Sequence, residues 1–159
     1  MSAVTAEGRL KELGISLPKA PTPLGAYVEA VQTGNLLYLS GTLPTEAGKA
    51  KFVGRIGREL TLEQGAEATR LAALNSLALA QDHLGSLDRI TRVVRLSVSL
   101  VTRPEFRDHP KVADAASDLL VSLFGREKIS TRAVMGVASL PLGACVETEI
   151  LFEVTNPTS

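Results

Sequence analysis

The stretch that determines the fold class is Arg92–Gly125, RVVRLSVSLVTRPEFRDHPKVADAASDLLVSLFG, because its hydrophobic period changes midway. In the first part every second residue is apolar, namely Val94, Leu96, Val98 and Leu100. This alternation predicts a strand that buries one face. After Pro110, apolar residues recur at intervals of three and four until Gly125, which predicts an amphipathic helix. A strand followed by such a helix indicates helices packed on a sheet.

The sequence on the N-terminal side supplies a second helix and a hairpin. Thr61 and Gln64 form a capping-box pattern, which predicts the start of a long helix that ends near Gly85. Earlier, Tyr27–Thr33 and Leu36–Ser40 are strand-like and are separated by Gly-Asn, which favours a tight turn. The segment between them and the long helix, residues 41–58, is predicted as a loop with a possible short strand at Phe52-Val53.

The C-terminal part is predicted to form another hairpin. Thr131–Ser139 and Ala144–Val154 have strand-like composition and flank Leu140–Gly143, whose Pro and Gly suit a turn. The complete element order predicts an α+β fold, a mixed sheet with two helices packed on one face. Residues 1–159 are interpreted as one domain, with 1–20 as an N-terminal helical lead and Pro-rich connector.

Composition excludes several classes of protein. The 159 residues are 45% hydrophobic and 21% charged, with 17 basic and 17 acidic side chains, which is typical of a globular domain and supplies no excess positive charge for nucleic acid. One cysteine cannot form an internal disulfide, and two histidines do not suffice for a Cys/His zinc site. We therefore expect a cytoplasmic protein without metal, membrane span or nucleic-acid partner.

The predicted C-terminal hairpin brings a cation and an acid to one face. Symmetric pairing about the turn places Arg132, Val134, Gly136 and Glu147 on the side away from the helices, with Arg132 and Glu147 roughly 13 Å apart. A guanidinium can bind a carboxylate through two hydrogen bonds, and a carboxylate can orient or deprotonate water. The same residues also fit a solvated strand edge, and taken alone they favour that simpler interpretation.

Several segments resemble one known family. These are Gly25-Ala26-Tyr27, the run Gly34–Pro44 (GNLLYLSGTLP), Thr131-Arg132, Val137–Pro141 and Val146–Glu149. Together they resemble the RidA family, also called YjgF or endoribonuclease L-PSP. The long N-terminal lead and the extended loop after Pro44 resemble a larger, less characterised branch of that family. The resemblance covers nearly the whole chain after Pro21.

The resemblance implies a chorismate-mutase-like fold that forms a homotrimer with a cleft at each subunit interface. It implies that Arg132 holds the carboxylate of a 2-imino acid or its enamine and that Glu147 positions the hydrolytic water. The backbone at Gly41 and Val134 lines the cleft, and Tyr27 enters it from the adjacent subunit. The implied products are a 2-keto acid and ammonia, and no cofactor is needed because the imine is already electrophilic.

The sequence leaves two other functions open. The first is a non-catalytic trimeric module of the same architecture that binds small carboxylates or keto acids. The second, RNA cleavage, is attached to the family by name, but the neutral net charge and the absence of a basic stripe disfavour it. The family's usual cysteine two residues after the arginine is Val134 here, so any role for that thiol is absent.

Overall fold

The computed structural model describes residues 4–156, so both ends of the predicted single domain, 1–3 and 157–159, lie outside the described residues. Within the described part there are three α-helices: α1 (Ala6–Glu12), α2 (Leu62–Leu84) and α3 (His109–Phe124). The helix predicted in the N-terminal lead is present as α1, but the prediction of two packed helices omits its packing against the body of the fold. The Glu7 carboxylate of α1 accepts hydrogen bonds from the Gln81 amide and the Leu87 N–H.

The two long helices begin and end where the sequence predicts. Thr61 and Gln64 form both hydrogen bonds of the capping box, at 3.1 and 2.9 Å. Gly85 ends α2 in the left-handed conformation, φ +81°, which a residue with a side chain adopts only with strain. Pro110 lies in the first turn of α3, where its missing N–H costs no helical hydrogen bond.

The two long helices pack on a five-stranded mixed sheet. Its members are β1 (Ala30–Thr33), β2 (Leu36–Leu39), β5 (Ile90–Leu100), β6 (Thr131–Gly136) and β7 (Val146–Val154), in the spatial order β1-β2-β7-β5-β6. Only the β5–β6 pair is parallel. The predicted hairpin of β1 and β2 around Gly34-Asn35 is confirmed, although β1 begins later than Tyr27.

The predicted C-terminal hairpin is wrong. β6 pairs with β5 in parallel, and β7 pairs antiparallel with β5 and β2, so β5 lies between the two strands. The reason is the helix α3, which carries the chain from the end of β5 back to its start, as a parallel pair requires. The segment Leu140–Gly143 is correspondingly no hairpin turn. It crosses the end of β5, with a 3₁₀ turn at Pro141–Gly143 and a positive φ of 61° at Leu142.

The predicted alternation along β5 fails at one end. The register against β7 shifts between Val93 and Arg95, which marks an irregularity in the pairing. As a result Val93 is buried and Val94 only partly so, whereas Val94 was the predicted core residue. From Leu96 onward the alternation holds, with Leu96, Val98 and Leu100 buried under the helices.

The helices cover one face of the sheet and leave the other open. The covered face packs Leu96, Ile150 and Phe152 against α2 and α3, and the buried side of α2 is rich in alanine, namely Ala68, Ala72, Ala73 and Ala80. Small side chains let the helix lie close to the strands. The opposite face leaves Val31, Tyr38 and Met135 exposed.

The loop before α2 contains a short two-stranded antiparallel sheet. Instead of a strand at Phe52-Val53, the structure has β3 (Thr45–Glu46) paired with β4 (Lys49–Ala50). Phe52 takes a positive φ of 58°, which breaks an extended run, and Val53 makes only an isolated bridge to Ala144. Across residues 4–156, none of the helices has both the length and the hydropathy that a bilayer crossing requires.

Candidate functional site

Arg132 and Glu147 lie on opposite faces of the sheet. Arg132 pairs with Leu96 on the helix-covered side, and Glu147 pairs with Ser99 on the open side. Directly opposed residues share a face, so Val134 and Gly136 belong with Arg132. The predicted common face of Arg132, Val134, Gly136 and Glu147 is therefore wrong, because it depended on a β6–β7 hairpin. Within one chain, β5 separates the two side chains by about 10 Å laterally.

The Arg132 guanidinium is held by α3. Its Nη1 donates to Asp114 Oδ1 at 2.7 Å and to Ser117 Oγ at 3.1 Å. Asp114 and Ser117 are three residues apart and hence on the same side of the helix. Among the described residues, no side-chain or backbone acceptor contacts Nε or Nη2 of Arg132. One edge of the guanidinium is thus occupied, and the Nε and Nη2 edge has no hydrogen-bond partner among the described residues.

The outer edge of β6 adds backbone donors beside this arginine. β6 is the last strand of the sheet, so one side of its backbone faces away from every other strand. The Val137 N–H donates to Leu100 O at 2.8 Å, which directs the alternating N–H groups of Ala133 and Met135 toward β5. The N–H groups of Arg132 and Val134 then point outward. This edge can therefore offer a guanidinium and an amide donor to an anion.

Glu147 lies directly over Gly41. A Cβ built on Gly41 would be 2.5 Å from Glu147 Oε1 and 3.0 Å from its Cδ, so a larger residue at 41 would collide with the carboxylate. Burial raises the pKa of the Glu147 carboxyl above its usual value, and the nearby Glu149 charge raises it further. A carboxyl group with a raised pKa exchanges protons more readily near neutral pH.

A buried hydroxyl cluster fixes the backbone on both sides of this contact. Thr42 follows Gly41 and Thr148 follows Glu147, and their backbones exchange hydrogen bonds of 2.8 and 2.9 Å. The Thr42 hydroxyl also contacts Thr148 Oγ1 at 2.9 Å, Ser76 Oγ at 2.6 Å and Ala72 O at 2.8 Å. Because all three hydroxyl-bearing residues are buried, the position of Gly41 beneath Glu147 is set by the interior of the fold.

Small side chains surround the Glu147 carboxylate on the open face. Ser99 lies opposite Glu147 and Ser97 lies opposite Glu149, and Ala133 continues the second row onto β6. These residues fill little volume above the sheet. Met135, which pairs with Ser99, is exposed on the same face.

Tyr27 makes no hydrogen bond to either group. It precedes β1, its side chain is exposed, and its hydroxyl accepts a hydrogen bond from the Leu24 N–H at 3.0 Å. Within one chain, therefore, Glu147 and Gly41 are brought together, Arg132 and Val134 share the β6 edge, and Tyr27 hydrogen-bonds to neither pair.

Three other side chains could take part in chemistry, those of Cys145, His109 and His83, but they do not lie together in one site. Cys145 is buried, and burial raises the pKa of its thiol to about 11, which keeps it protonated and unreactive. His109 packs edge-on against Phe106, and the His83 ring contacts the Gln32 amide oxygen. Over residues 4–156, no group of three or more His, Cys, Asp or Glu side chains is arranged to hold a metal ion.

Sequence reasoning missed Asp114 and Ser117. They occupy polar positions of an amphipathic helix, where most such residues only face water. Their spacing of three residues was visible, but nothing in the sequence indicated that this side of α3 lies next to Arg132. The missing information was the parallel pairing of β6 with β5, which places the strand beside the helix that precedes it.

Comparison with known proteins gives matches along most of the chain. The family model "YjgF/chorismate mutase-like, putative endoribonuclease" matches residues 7–153. Protein TCP17 of Trypanosoma cruzi is 42% identical over 159 aligned positions, 97% of this chain and 99% of that protein. The 2-iminobutanoate/2-iminopropanoate deaminase of Dermatophagoides farinae is 32% identical over 136 residues, 85% of this chain and 91% of that enzyme. The crystal structure of a "putative endoribonuclease" from Shewanella oneidensis MR-1 has a TM-score of 0.90 at 33% identity, covering 94% of this chain and 99% of that one.

Proposed function

Because this chain belongs to the YjgF/chorismate mutase-like family, which includes the RidA proteins, we propose that it hydrolyses reactive 2-enamine and 2-imino acids to 2-keto acids and ammonia. The single observation that carries the proposal is the Glu147 carboxyl, partly buried over Gly41 with its pKa raised. The similarity to a relative that is named a 2-iminobutanoate/2-iminopropanoate deaminase supports the same substrate class. Pyridoxal-phosphate enzymes release such intermediates, and we propose that this protein acts on them in the cytoplasm.

The proposed site needs more than one subunit. Arg132 and Glu147 lie on opposite faces of one sheet, so a small substrate cannot contact both within a single chain. We propose that the chain forms a homotrimer, in which the β6 edge of one subunit faces the Glu147 side of its neighbour. The exposed apolar residues of the open face, Val31, Tyr38 and Met135, support such an association.

The substrate carboxylate would bind at the β6 edge. The open Nε and Nη2 edge of Arg132 can make two parallel hydrogen bonds to it, and the outward Val134 N–H can add a third. In the neighbouring subunit, Gly41 leaves space for the Glu147 carboxylate, and we propose that the exposed Tyr27 side chain closes the cleft. This arrangement directs the C=N carbon of the substrate toward Glu147.

Glu147 then acts on water. An enamine first takes a proton from solvent at C3 and becomes the iminium ion, the protonated form of the imine. The ionised Glu147 carboxylate accepts a proton from a water molecule whose oxygen adds to C2, which gives a carbinolamine. The protonated carboxyl passes its proton to the nitrogen, the C–N bond breaks, and ammonia leaves as the C=O bond forms; the carboxylate takes the hydroxyl proton and releases it to solvent. Each turnover consumes one water, leaves Glu147 unchanged and requires no cofactor.

The test is the rate of keto-acid formation in the presence of a dehydratase that generates 2-aminoacrylate. The purified chain is expected to accelerate pyruvate appearance over buffer, and Arg132→Ala is expected to abolish the gain. Arg70→Ala is the matched control, because it removes an exposed arginine from α2, away from the β6 edge. If the wild-type chain accelerates none of several amino-acid-derived imines, the proposed reaction is wrong.

The same proteins distinguish the alternative functions. Saturable binding of 2-oxobutyrate that Arg132→Ala removes, together with no turnover of any imine, would identify a binding module. Salt-sensitive RNA cutting by a preparation free of contaminating nuclease would identify a nuclease instead. Sedimentation of the wild-type chain tests the homotrimer separately, since a monomer at assay concentration would leave the site incomplete.

A further inference from the structure

We propose that Asp114 and Ser117 are positioning residues that hold the Arg132 guanidinium ready for a substrate carboxylate. This inference rests on the proposed role of Arg132 as the substrate anchor. The Asp114 side chain is 55% exposed, whereas that of Arg132 is 25% exposed. Because the Asp114 carboxylate is mostly solvated, the pair contributes only modestly to stability, and we attribute its main role to the orientation of Arg132.

The side from which Asp114 and Ser117 contact Arg132 indicates that they position its guanidinium and do not block it. Both Asp114 and Ser117 accept from the same atom, Nη1, at 2.7 and 3.1 Å. If the Asp114 carboxylate blocked substrate binding, it would make two parallel hydrogen bonds to Nε and Nη2 of Arg132. Here that edge makes no hydrogen bond to any described residue, so the guanidinium is held through Nη1 and keeps its Nε and Nη2 donors unpaired within the described residues.

The neighbouring structure determines where the open edge points. Arg132 lies on the outermost strand with its side chain on the α3 side of the sheet. Without Asp114 and Ser117, its long side chain could sample many rotamers over the surface of α3 and over the edge of β6. Two acceptors three residues apart on a helix reduce this set. Binding then loses less side-chain entropy, which is the physical basis of preorganisation.

The expected consequence is a change in affinity rather than in the chemical step. The double substitution Asp114→Ala/Ser117→Ala is expected to weaken 2-oxobutyrate binding by about tenfold and to raise KM similarly, while kcat stays within about twofold, because Glu147 is untouched. Asp114→Asn is expected to stay near wild type, since its amide oxygen still accepts from Nη1. A role limited to stability would not produce this recovery.

The experiment measures Kd by isothermal titration of the assembled wild-type protein and variants with 2-oxobutyrate, alongside kcat and KM for imine hydrolysis. The uncharged analogue 2-butanone lacks the carboxylate and is expected not to bind. Glu12→Ala is the matched control, because it removes an exposed arginine–carboxylate pair of the same kind, Arg9 with Glu12 at 3.1 Å, from α1. Circular dichroism checks that each variant is folded.

The outcomes separate this inference from the proposed function. If Arg132→Ala loses 2-oxobutyrate binding but Asp114→Ala/Ser117→Ala binds like wild type, the positioning role is wrong and the anchor stands. Tighter binding by Asp114→Ala would show that Asp114 blocks the anchor, which also overturns the inference. If Arg132→Ala itself binds like wild type, the proposed function loses its anchor and the inference fails with it.

Discussion

Substituting Gly41 by alanine tests whether the contact beneath Glu147 matters for catalysis. The added Cβ would lie 2.5 Å from Glu147 Oε1, whereas ordinary van der Waals contact begins at 3.4 Å. The carboxylate oxygen must therefore withdraw by the difference, about 0.9 Å. A misplacement of about 1 Å in a group that acts on the reacting atoms can reduce a rate by about 100-fold. We expect kcat of Gly41→Ala to fall by about that factor.

The same substitution is expected to change the fold only slightly. The atom that must move is the end of a flexible side chain, and Gly41 is not among the glycines with a positive φ. Alanine also restricts the unfolded chain, which stabilises the folded state by about 0.4–1 kcal/mol and offsets part of the strain. The free energy of unfolding should therefore change by less than about 1 kcal/mol.

Three measurements decide this prediction. Stopped-flow kinetics with a generated imine gives kcat, urea titration gives the free energy of unfolding, and Gly8→Ala in α1 serves as a glycine-to-alanine control away from the sheet. Full turnover by Gly41→Ala, with Glu147→Ala inactive, would show that the position of the carboxylate is not set by this contact. A loss of several kcal/mol with no folded protein at assay temperature would show that the close packing serves the fold instead.

Two further predictions concern stability. Thr42→Val leaves the buried hydroxyls of Ser76 and Thr148 without their shared partner and is expected to lower the free energy of unfolding by about 2 kcal/mol in urea titration. Adding Thr148→Val should then cost less than Thr148→Val alone, and strict additivity would contradict the cluster. For Glu147, burial and the Glu149 charge raise the folded-state pKa above the unfolded value, so folding loses stability as pH rises from the unfolded toward the folded pKa. Glu147→Gln lacks this loss, so its free energy of unfolding should exceed that of the wild type at pH 7 and equal it near pH 3. If the difference is largest in acid, the raised pKa assigned to Glu147 is wrong.

The sequence predicted the local elements well because their signals are local. The capping box at Thr61 and the stop at Gly85 act within one turn of helix, and the Gly34-Asn35 turn joins adjacent residues. The family resemblance points to Gly41, and both the resemblance and the predicted hairpin point to Glu147; the structure places the Glu147 side chain against the Gly41 backbone. No local pattern in the sequence would have paired them, since they are far apart along the chain.

The sequence could not predict which strands pair at the C-terminus. The segment Leu140–Gly143 has turn-like composition whether it closes a hairpin or crosses the end of another strand. The choice depended on α3, which returns the chain to the outer edge of β5 and makes β6 its parallel partner. Because each residue of a strand faces one side, this choice alone moved Arg132 to the face opposite Glu147.

The amino-acid sequence by itself determined the periods, the caps and the residue types that can bind a carboxylate or move a proton. The tertiary structure alone decided which of these residues meet, because strand order and register arise from long-range packing rather than from neighbouring residues. It placed Glu147 over Gly41, gave Arg132 its partners Asp114 and Ser117, and separated the two groups by a strand.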